Sequence, residues 1–387
     1  PWEVIKFKPS YHDHTLFFDD DGKVYMIWGV GQIWIAELHA DLSGIREGTE
    51  RVLIENASKP AGDNIMLKAE GSQLFKVKEK YYLFNITWPE DGMRTVIIHR
   101  ADVITGPYQG RLALQDRGIA QGGLIDTPEG IWYAYLFRDY GAVGRIPYLA
   151  PVSWEDDWPV IGINGKVPDR MELPSSKGLI PGVVSSDDFT REEGEPDLPL
   201  VWQWNHNPDD THWSLDRENG SFRITTGRID RSFYYARNTL TQRTIGPLCT
   251  GSTSLDISNM EDGDIAGLAL LQLQYGLVGV TYENGKKRIV MIHADTGRPI
   301  EAESIPLDQN IIYLKATCDF TEQKDEANFF YSLDGDKWTK IGSTLNMEYT
   351  LPHFMGYRFG LFNYATKKTG GYVDFDFFQI TDDIEQD

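Results

Sequence analysis

Short runs that alternate apolar and polar residues follow one another along the first half of this 387-residue sequence. None shows a convincing helical period, and alternation over four to eight residues is typical of half-buried β-strands. Three segments repeat one pattern, an apolar run, a turn containing Asp, Gly or Lys, and an aromatic run, at 18–26, 75–84 and 125–135. Their spacing is close to the ~40–50 residue period of propeller blades. The sequence therefore predicts an all-β chain whose first part is a β-propeller.

The composition changes around residue 168, where PDRMELPSSKGLIPGVVSSDDF is rich in Pro, Ser, Gly and acidic residues. Such a composition is typical of a linker. A second alternating region follows it and contains about eight or nine predicted strands, with ENGK and LDGDKW as hairpin turns. That pattern favours a two-sheet sandwich of jelly-roll or concanavalin-like type. We place the propeller portion at 1–175 and the sandwich at 186–387.

Charge and motif content exclude several classes of function. The chain has 37 Lys and Arg against 58 Asp and Glu, and a net charge of −21 repels phosphate backbones and anionic membrane surfaces. The apolar runs are too short to span a membrane, so a soluble protein is expected, with an extracellular or a cytoplasmic location left open. No HExxH spacing indicates a catalytic zinc site, and no serine elbow indicates an esterase. Cys249 and Cys318 allow one bridge at most.

The stretch YHDHTLFFDDDGKVYMIWG, residues 11–29, crowds four aspartates ahead of an apolar run. Asp and Gly tolerate the positive φ of a tight hairpin, so Asp19 to Asp21 are interpreted as a turn. Asp13 differs, because it stands at the mouth of a strand. From its position alone, Asp13 is a strand-end residue, a metal ligand or part of a catalytic pair.

Three ordered motifs, HDHTLFFDDDGKVYMIWG, KAEGSQLFKVKEKYYLF and AQGGLIDTPEGIWYAYLFRDYGAVGR, resemble the later blades of glycoside hydrolase family 43 β-xylosidases and α-L-arabinofuranosidases. The second half, with PLVWQWNHNPDDTHWSLDRENGSFRI, resembles the C-terminal sandwich of that family's β-xylosidase branch. The resemblance implies a five-bladed propeller and an exo-acting hydrolase that releases terminal β-D-xylose with inversion. Release of α-L-arabinofuranose, or of both sugars, is the alternative, and a non-catalytic carbohydrate-binding chain is the second alternative.

The resemblance also implies roles for particular residues. Glu70, in KAEGS, occupies the general-acid position, and Asp13 occupies the position of the carboxylate that tunes the pKa of the acid. On sequence alone Glu70 would be an ordinary surface glutamate. The family's general base has no match in this chain and is expected upstream of it. We expect the N-terminal blades to come from a second polypeptide or from a preceding segment.

Two further residues are predicted to bind the sugar. Arg145, in GAVGRIPYL, matches an arginine that reaches the pocket in relatives, and its guanidinium suits paired hydroxyls; an exposed loop arginine is the alternative. Trp88, in NITWPEDG, is the best candidate for a pocket wall. Most of the other tryptophans, such as Trp28, Trp34 and Trp132, are expected in the core. The expected ligands are xylo-oligosaccharides or arabinoxylan fragments.

Calcium is the one cofactor considered, and no organic cofactor is expected. Gln121, in AQGG, stands where many relatives have a histidine on the propeller axis, so an axial calcium is one hypothesis. A second places calcium in the sandwich, where acidic residues from the two ends of that domain could meet. Turn and strand-face roles are the alternative for these residues, which are Asp187, Asp188, Asp374 and Asp376.

Overall fold

A computed structural model describes residues 10–172, 182–294, 298–351 and 353–384. The chain divides into two compact units. The first comprises Pro1–Asp139 and Arg145–Ser175, and the second comprises Tyr140–Gly144 and Ser176–Asp387. Helical structure in the described ranges is limited to short 3-10 turns at Lys59–Ala61, Gly141–Val143, Phe233–Tyr235 and Thr321–Gln323. In the part of the chain that the structure describes, no helix has the length and apolar character needed to cross a membrane.

The first unit consists of three antiparallel sheets of four strands, each in simple chain order. These are propeller-like blades, as the repeated hairpin pattern predicts. The first contains β1 (Thr15–Phe18), β2 (Val24–Val30), β3 (Gln32–Glu37) and β4 (Arg51–Ile54). The second contains β5 (Ile65–Val77), β6 (Lys80–Pro89), β7 (Thr95–Ala101) and β8 (Gln109–Leu114). The third contains β9 (Ala120–Asp126), β10 (Trp132–Asp139), β11 (Arg145–Glu155) and β12 (Trp158–Ile161).

Local turn chemistry explains the hairpins. Asp19 and Lys23 close the first hairpin, with the Asp19 N–H donating to the Lys23 carbonyl over 2.9 Å. In the second hairpin Lys78 and Glu79 both have positive φ, 48° and 62°, which is the backbone of a two-residue turn between twisted strands. The Asp19 carboxylate also contacts the second blade, because it accepts hydrogen bonds from Lys76 and Tyr81.

Alternation along β6 builds the cores between the blades. Tyr81 and Leu83 pack with residues of the first sheet, whereas Tyr82 and Phe84 pack with residues of the third. Successive side chains of a strand point to opposite faces, so one strand supplies both cores. The first strands of the blades are neighbours, with β5 beside β1 and β2, and β9 beside β5.

The second unit is a sandwich of two seven-stranded antiparallel sheets. The orders are β13-β16-β25-β18-β19-β20-β21 and β14-β15-β26-β17-β22-β23-β24. The strands are β13 (Gln203–Trp204), β14 (Trp213–Asp216), β15 (Ser221–Thr225), β16 (Leu240–Arg243), β17 (Leu248–Asp256), β18 (Asp264–Leu271), β19 (Gly276–Glu283), β20 (Lys286–His293), β21 (Ile300–Leu307), β22 (Ile311–Asp319), β23 (Glu326–Ser332), β24 (Thr339–Asn346), β25 (Arg358–Ala365) and β26 (Tyr372–Thr381).

The predicted sandwich is confirmed, but its two described sheets contain seven strands each, more than the eight or nine strands expected in total. The sequence run LVGVTYENGKKRIVMIH holds two strands, β19 and β20, and the edge strand β13 has only two residues, too short to show alternation. Large aromatic residues fill the space between the sheets, with Phe222, Phe359 and Phe375 fully buried. Cys249 and Cys318 lie directly opposite each other on β17 and β22 as free, buried thiols.

Candidate active site

A turn before β1 carries the first two side chains of the site, His12 and Asp13. Asp13 has a φ of 46°, a left-handed conformation that aspartate tolerates better than most residues. The turn is anchored on β2, because the Gly29 N–H donates to the His12 carbonyl over 3.1 Å and the Tyr11 ring packs edge-on against Trp28 at 4.8 Å. Trp28 is buried, as expected for a core tryptophan.

Glu70 lies in β5 between two irregularities of the β5–β6 ladder. Leu67 pairs with Trp88, Glu70 with Ile86 and Gln73 with Phe84, so three steps along β5 face two along β6 on each side of Glu70. Such bulges turn a side chain away from its regular direction and are common next to active sites. They explain why Glu70 does not follow the simple in-and-out alternation of a strand.

Buried polar side chains satisfy the backbone groups that the bulges free. Ser58 accepts from the Ala69 N–H over 2.7 Å, and Thr87 donates to the Leu67 carbonyl over 2.7 Å. Asn85 donates to the Glu70 carbonyl and to the Ser72 hydroxyl. A buried backbone group without a partner is costly, so this network holds the irregular segment around Glu70 in place.

The structure brings Asp13 and Glu70 together from two different blades. His12 Nε2 lies 3.2 Å from Glu70 Oε2 and 3.6 Å from Asp13 Oδ2, and one ligand atom of each residue lies within 4.8 Å of the others. The Glu70 side chain is 19% exposed and that of Asp13 is 35% exposed, so both reach solvent at a partly enclosed place. Sequence reasoning missed His12, although it directly precedes Asp13 in the quoted motif.

Gln121 joins this site from the third blade. It has a φ of 47° and lies on β9 at the irregularity of the β9–β10 pairing. A Cβ atom on Gly71 would stand 3.1 Å from Gln121 Nε2, so the amide lies beside the residue that follows Glu70. Gly71 itself has a φ of 66°, and glycine suits both the backbone and the close approach.

In the described ranges, three or more metal-ligating side chains meet only at His12, Asp13 and Glu70. This mixed set of one imidazole and two carboxylates suits a transition metal better than calcium, which takes six to eight oxygen ligands. Gln121 supplies one amide oxygen near this group. An axial calcium at Gln121 therefore stays a prediction.

Arg145 and Trp88, both predicted to bind the sugar, are connected through contacts with Asp139 and Arg94. Arg145 Nε donates to Asp139 Oδ1 over 3.1 Å, and Arg94 forms an ion pair with the other oxygen of Asp139. The Arg94 guanidinium lies over the Trp88 ring at 5.6 Å, and Arg145 lies over Phe137 at 4.4 Å. Sequence reasoning missed Arg94 and Asp139. The residue order gives no signal that they connect Arg145 to Trp88.

The four sandwich aspartates do not meet in a shared calcium site. Asp187 forms a two-pronged ion pair with Arg191, and Asp374 forms one with Arg223. Asp188 closes a turn by accepting from Thr190, and Asp376 accepts from the Ser254 hydroxyl. The turn and strand-face interpretation fits these contacts, because each carboxylate already has a protein donor.

Comparison with known protein families gives two matches. The family model described as "Glycosyl hydrolases family 43" matches residues 2–159. A second family model, described as "Beta xylosidase C-terminal Concanavalin A-like domain", matches residues 186–381. The chain belongs to glycoside hydrolase family 43. The resemblance that the three ordered motifs indicated for the first half, and the separate resemblance of the second half, are thereby confirmed.

Individual family-43 proteins resemble nearly the whole chain. A solved structure described as a bifunctional GH43-CE of Bacteroides eggerthii is 64% identical, with a TM-score of 0.92, over all of this chain and 50% of that one. A putative β-xylosidase of Xylanibacter ruminicola is 30% identical over 90% of this chain and 64% of its own length. A family-43 enzyme engineered for both endo-xylanase and exo-arabinofuranosidase activity is 29% identical, with a TM-score of 0.79, over 96% of this chain and 74% of that one. The chain thus spans only half to three quarters of these relatives.

Proposed function

We propose that this chain supplies the general acid of an exo-acting, inverting glycosidase that releases terminal β-D-xylose from xylo-oligosaccharides. The observation that carries the proposal is the convergence of Glu70 and Asp13 from neighbouring blades. Family membership and a relative named as a putative β-xylosidase support it.

Glu70 acts as the general acid. Its protonated carboxyl gives a proton to the glycosidic oxygen while the bond from that oxygen to the anomeric carbon breaks. Asp13, whose carboxylate lies close to that of Glu70, takes the modulating role that the family resemblance implies. His12, within hydrogen-bond reach of Glu70, fixes the direction of the carboxyl.

The separation of the two carboxyl groups argues against Asp13 as the base. An inverting enzyme holds acid and base about 6.5–9.5 Å apart so that a water fits between base and sugar. Asp13 and Glu70 have oxygens within 4.8 Å, which is closer than this spacing. We place the base outside this chain, on blades that a second polypeptide or a longer form of the protein provides. The relatives, which are longer than this chain, are consistent with that assignment.

Arg145 and Trp88 form the binding wall of the proposed site. Asp139 holds Arg145 and Arg94 in fixed positions, and the Trp88 face offers an apolar surface to a sugar ring. Xylopyranose and arabinofuranose present similar hydroxyl groups to such a wall. Release of arabinofuranose is therefore the second candidate, favoured by the exo-arabinofuranosidase activity of the engineered relative.

The first experiment compares Glu70→Gln with wild type in a preparation that includes the blades carrying the base. Hydrolysis of xylobiose should fall about 10²–10⁴-fold, because the amide keeps the shape of the acid but cannot give the proton. Para-nitrophenyl xyloside, whose leaving group needs less protonation, should lose less. Glu79→Gln, at a side chain that is 90% exposed, is the matched control and should keep full activity. Equal loss on both substrates, or no loss, would remove Glu70 from the acid role.

The second experiment tests where the base lies. The 387-residue chain alone and the same chain with its additional blades are assayed with para-nitrophenyl xyloside and arabinofuranoside. We expect turnover only in the second preparation, because the attacking water is otherwise not activated. Full activity of the chain alone would contradict this assignment. Sugar binding without turnover in both preparations would favour a carbohydrate-binding protein.

A further inference from the structure

A cavity of about 130 Å³ lies in the second unit, at the ends of β15 and β25. We call it the sandwich cavity, and its lining includes Thr226, Arg228, Arg237 and Asn363. None of the residues assigned to the catalytic or sugar-binding machinery above belongs to it. It is smaller than the ~300–1,000 Å³ sites of drug-sized ligands, so it suits a single small molecule.

Buried polar side chains form the floor of the sandwich cavity. Thr226 is held by its own N–H, which donates to the Gly371 carbonyl over 2.8 Å. Asn238 accepts from the Asp209 N–H over 2.7 Å and donates to the Asp209 carbonyl over 3.0 Å. These contacts fix the floor before any ligand arrives, as binding sites require.

Asn363 on the same floor has an acceptor with no protein partner. Only 3% of this residue is exposed. Its amide nitrogen donates to the carbonyls of Ile224, at 2.9 Å, and Gly371, at 3.4 Å, which fixes the orientation of the amide. Its Oδ1 is buried and accepts no hydrogen bond from the described residues. Buried acceptors are seldom left unpaired, so this oxygen indicates a hydroxyl-bearing ligand or water in the cavity.

Donors lie at the rim of the sandwich cavity. Arg228 pairs through Nε with Asp230 at 3.0 Å, and Arg237 donates through Nε to the Asn207 carbonyl over 2.9 Å. The two terminal guanidinium nitrogens of Arg237 make no hydrogen bond to the residues that the structure describes. The His212 ring faces Gly227, where a Cβ atom would stand 2.6 Å from the ring, so only glycine leaves room for the imidazole.

The charges around the sandwich cavity balance. Two arginines and two aspartates, Asp209 and Asp230, line it together with His212. The four charged side chains therefore balance, which favours a neutral ligand with hydrogen-bond donors and acceptors. A sugar hydroxyl can donate a hydrogen bond to Asn363 Oδ1 and accept one from an arginine.

We propose that the sandwich cavity is a second sugar site, which binds one neutral pentose unit. The volume admits one ring and not a chain of rings, so the occupant is a free pentose, a chain end or a single-sugar side branch. The choice of a pentose rests on the proposed function, whereas the cavity itself holds none of the catalytic carboxylates and goes beyond the proposed hydrolysis.

The test is isothermal titration calorimetry of the full chain with D-xylose, L-arabinose and sodium sulfate, with crystals soaked in the same sugars to locate them. Arg237→Gln should weaken pentose binding about tenfold or more through lost hydrogen bonds. Arg228→Gln is the second variant, and each is accepted only if its melting temperature stays near that of wild type. Arg231→Gln is the matched control, because Arg231 lies over the Tyr235 ring and does not line the cavity.

Weaker pentose binding in either cavity variant, with Arg231→Gln unchanged and sugar density beside Asn363, supports the proposal. Three results would overturn it, namely no pentose binding, sugar density only beside Glu70, or sulfate binding tighter than either pentose. The Glu70→Gln chain should bind pentose at the sandwich cavity as well as wild type. If the proposed hydrolysis failed, the pentose-binding measurement would therefore still test the sandwich cavity.

Discussion

Replacement of Asp187 by asparagine tests whether its carboxylate is a structural anchor of the sandwich. The two oxygens accept from Arg191 at 2.8 and 2.7 Å, from the Phe189 N–H at 2.8 Å and from Trp202 Nε1 at 2.7 Å. Both ion-pair side chains are only 6% exposed. Asp187→Asn keeps the shape but removes the charge, so Arg191 is left buried without its counter-ion.

The expected cost follows from that burial. Removal of one partner of a buried ion pair typically costs about 3–5 kcal/mol, because the remaining charge is uncompensated. For a unit of this size each 1 kcal/mol lowers the melting temperature by about 2–4 °C, so we expect a drop of about 6–20 °C. Asp188→Asn is the control, because Asp188 is exposed and caps a turn, and its change should stay within about 0.5 kcal/mol.

Differential scanning calorimetry of the three proteins measures both shifts. A second scan in the presence of a calcium chelator separates the ion pair from a metal site. Equal melting temperatures for Asp187→Asn and Asp188→Asn would refute the reasoning from burial. A chelator effect present in wild type and absent in Asp187→Asn would instead make Asp187 a metal ligand.

Two further predictions concern aspartates. Asp13→Asn should lower the rate of xylobiose hydrolysis, because the Asp13 carboxylate lies beside Glu70 and has the modulating role in the proposed site; full activity of Asp13→Asn would leave Asp13 a turn residue. Burial raises the pKa of Asp264 to about 6, so between about pH 4 and 6 the native state holds a proton that the unfolded chain has lost. The free energy of unfolding should therefore fall by about 3 kcal/mol as the pH rises across that range, relative to Asp264→Asn, measured by urea denaturation of both proteins.

Local sequence determined the strand and turn pattern of this protein. Asp-Gly and Lys-Glu pairs set the hairpins before β2 and β6, and alternation along β6 assigned its side chains to two cores. These features depend on neighbouring residues alone, through turn conformations and the period-2 geometry of a strand. The ordered motifs also gave the positions of Glu70 and Asp13.

Only the tertiary structure decided which side chains meet. His12 and Glu70 are 58 residues apart, and they touch because β1 and β5 are adjacent and two bulges redirect Glu70. Asp139 connects Arg94 to Arg145, and Asp187 pairs with Arg191 rather than with the other sandwich aspartates. Partners across sheets depend on register, bulges and burial, which local propensity does not encode. An aspartate is thus a turn cap, as Asp188 is, or an ion-pair partner, as Asp187 is, according to the contacts that the fold brings to it.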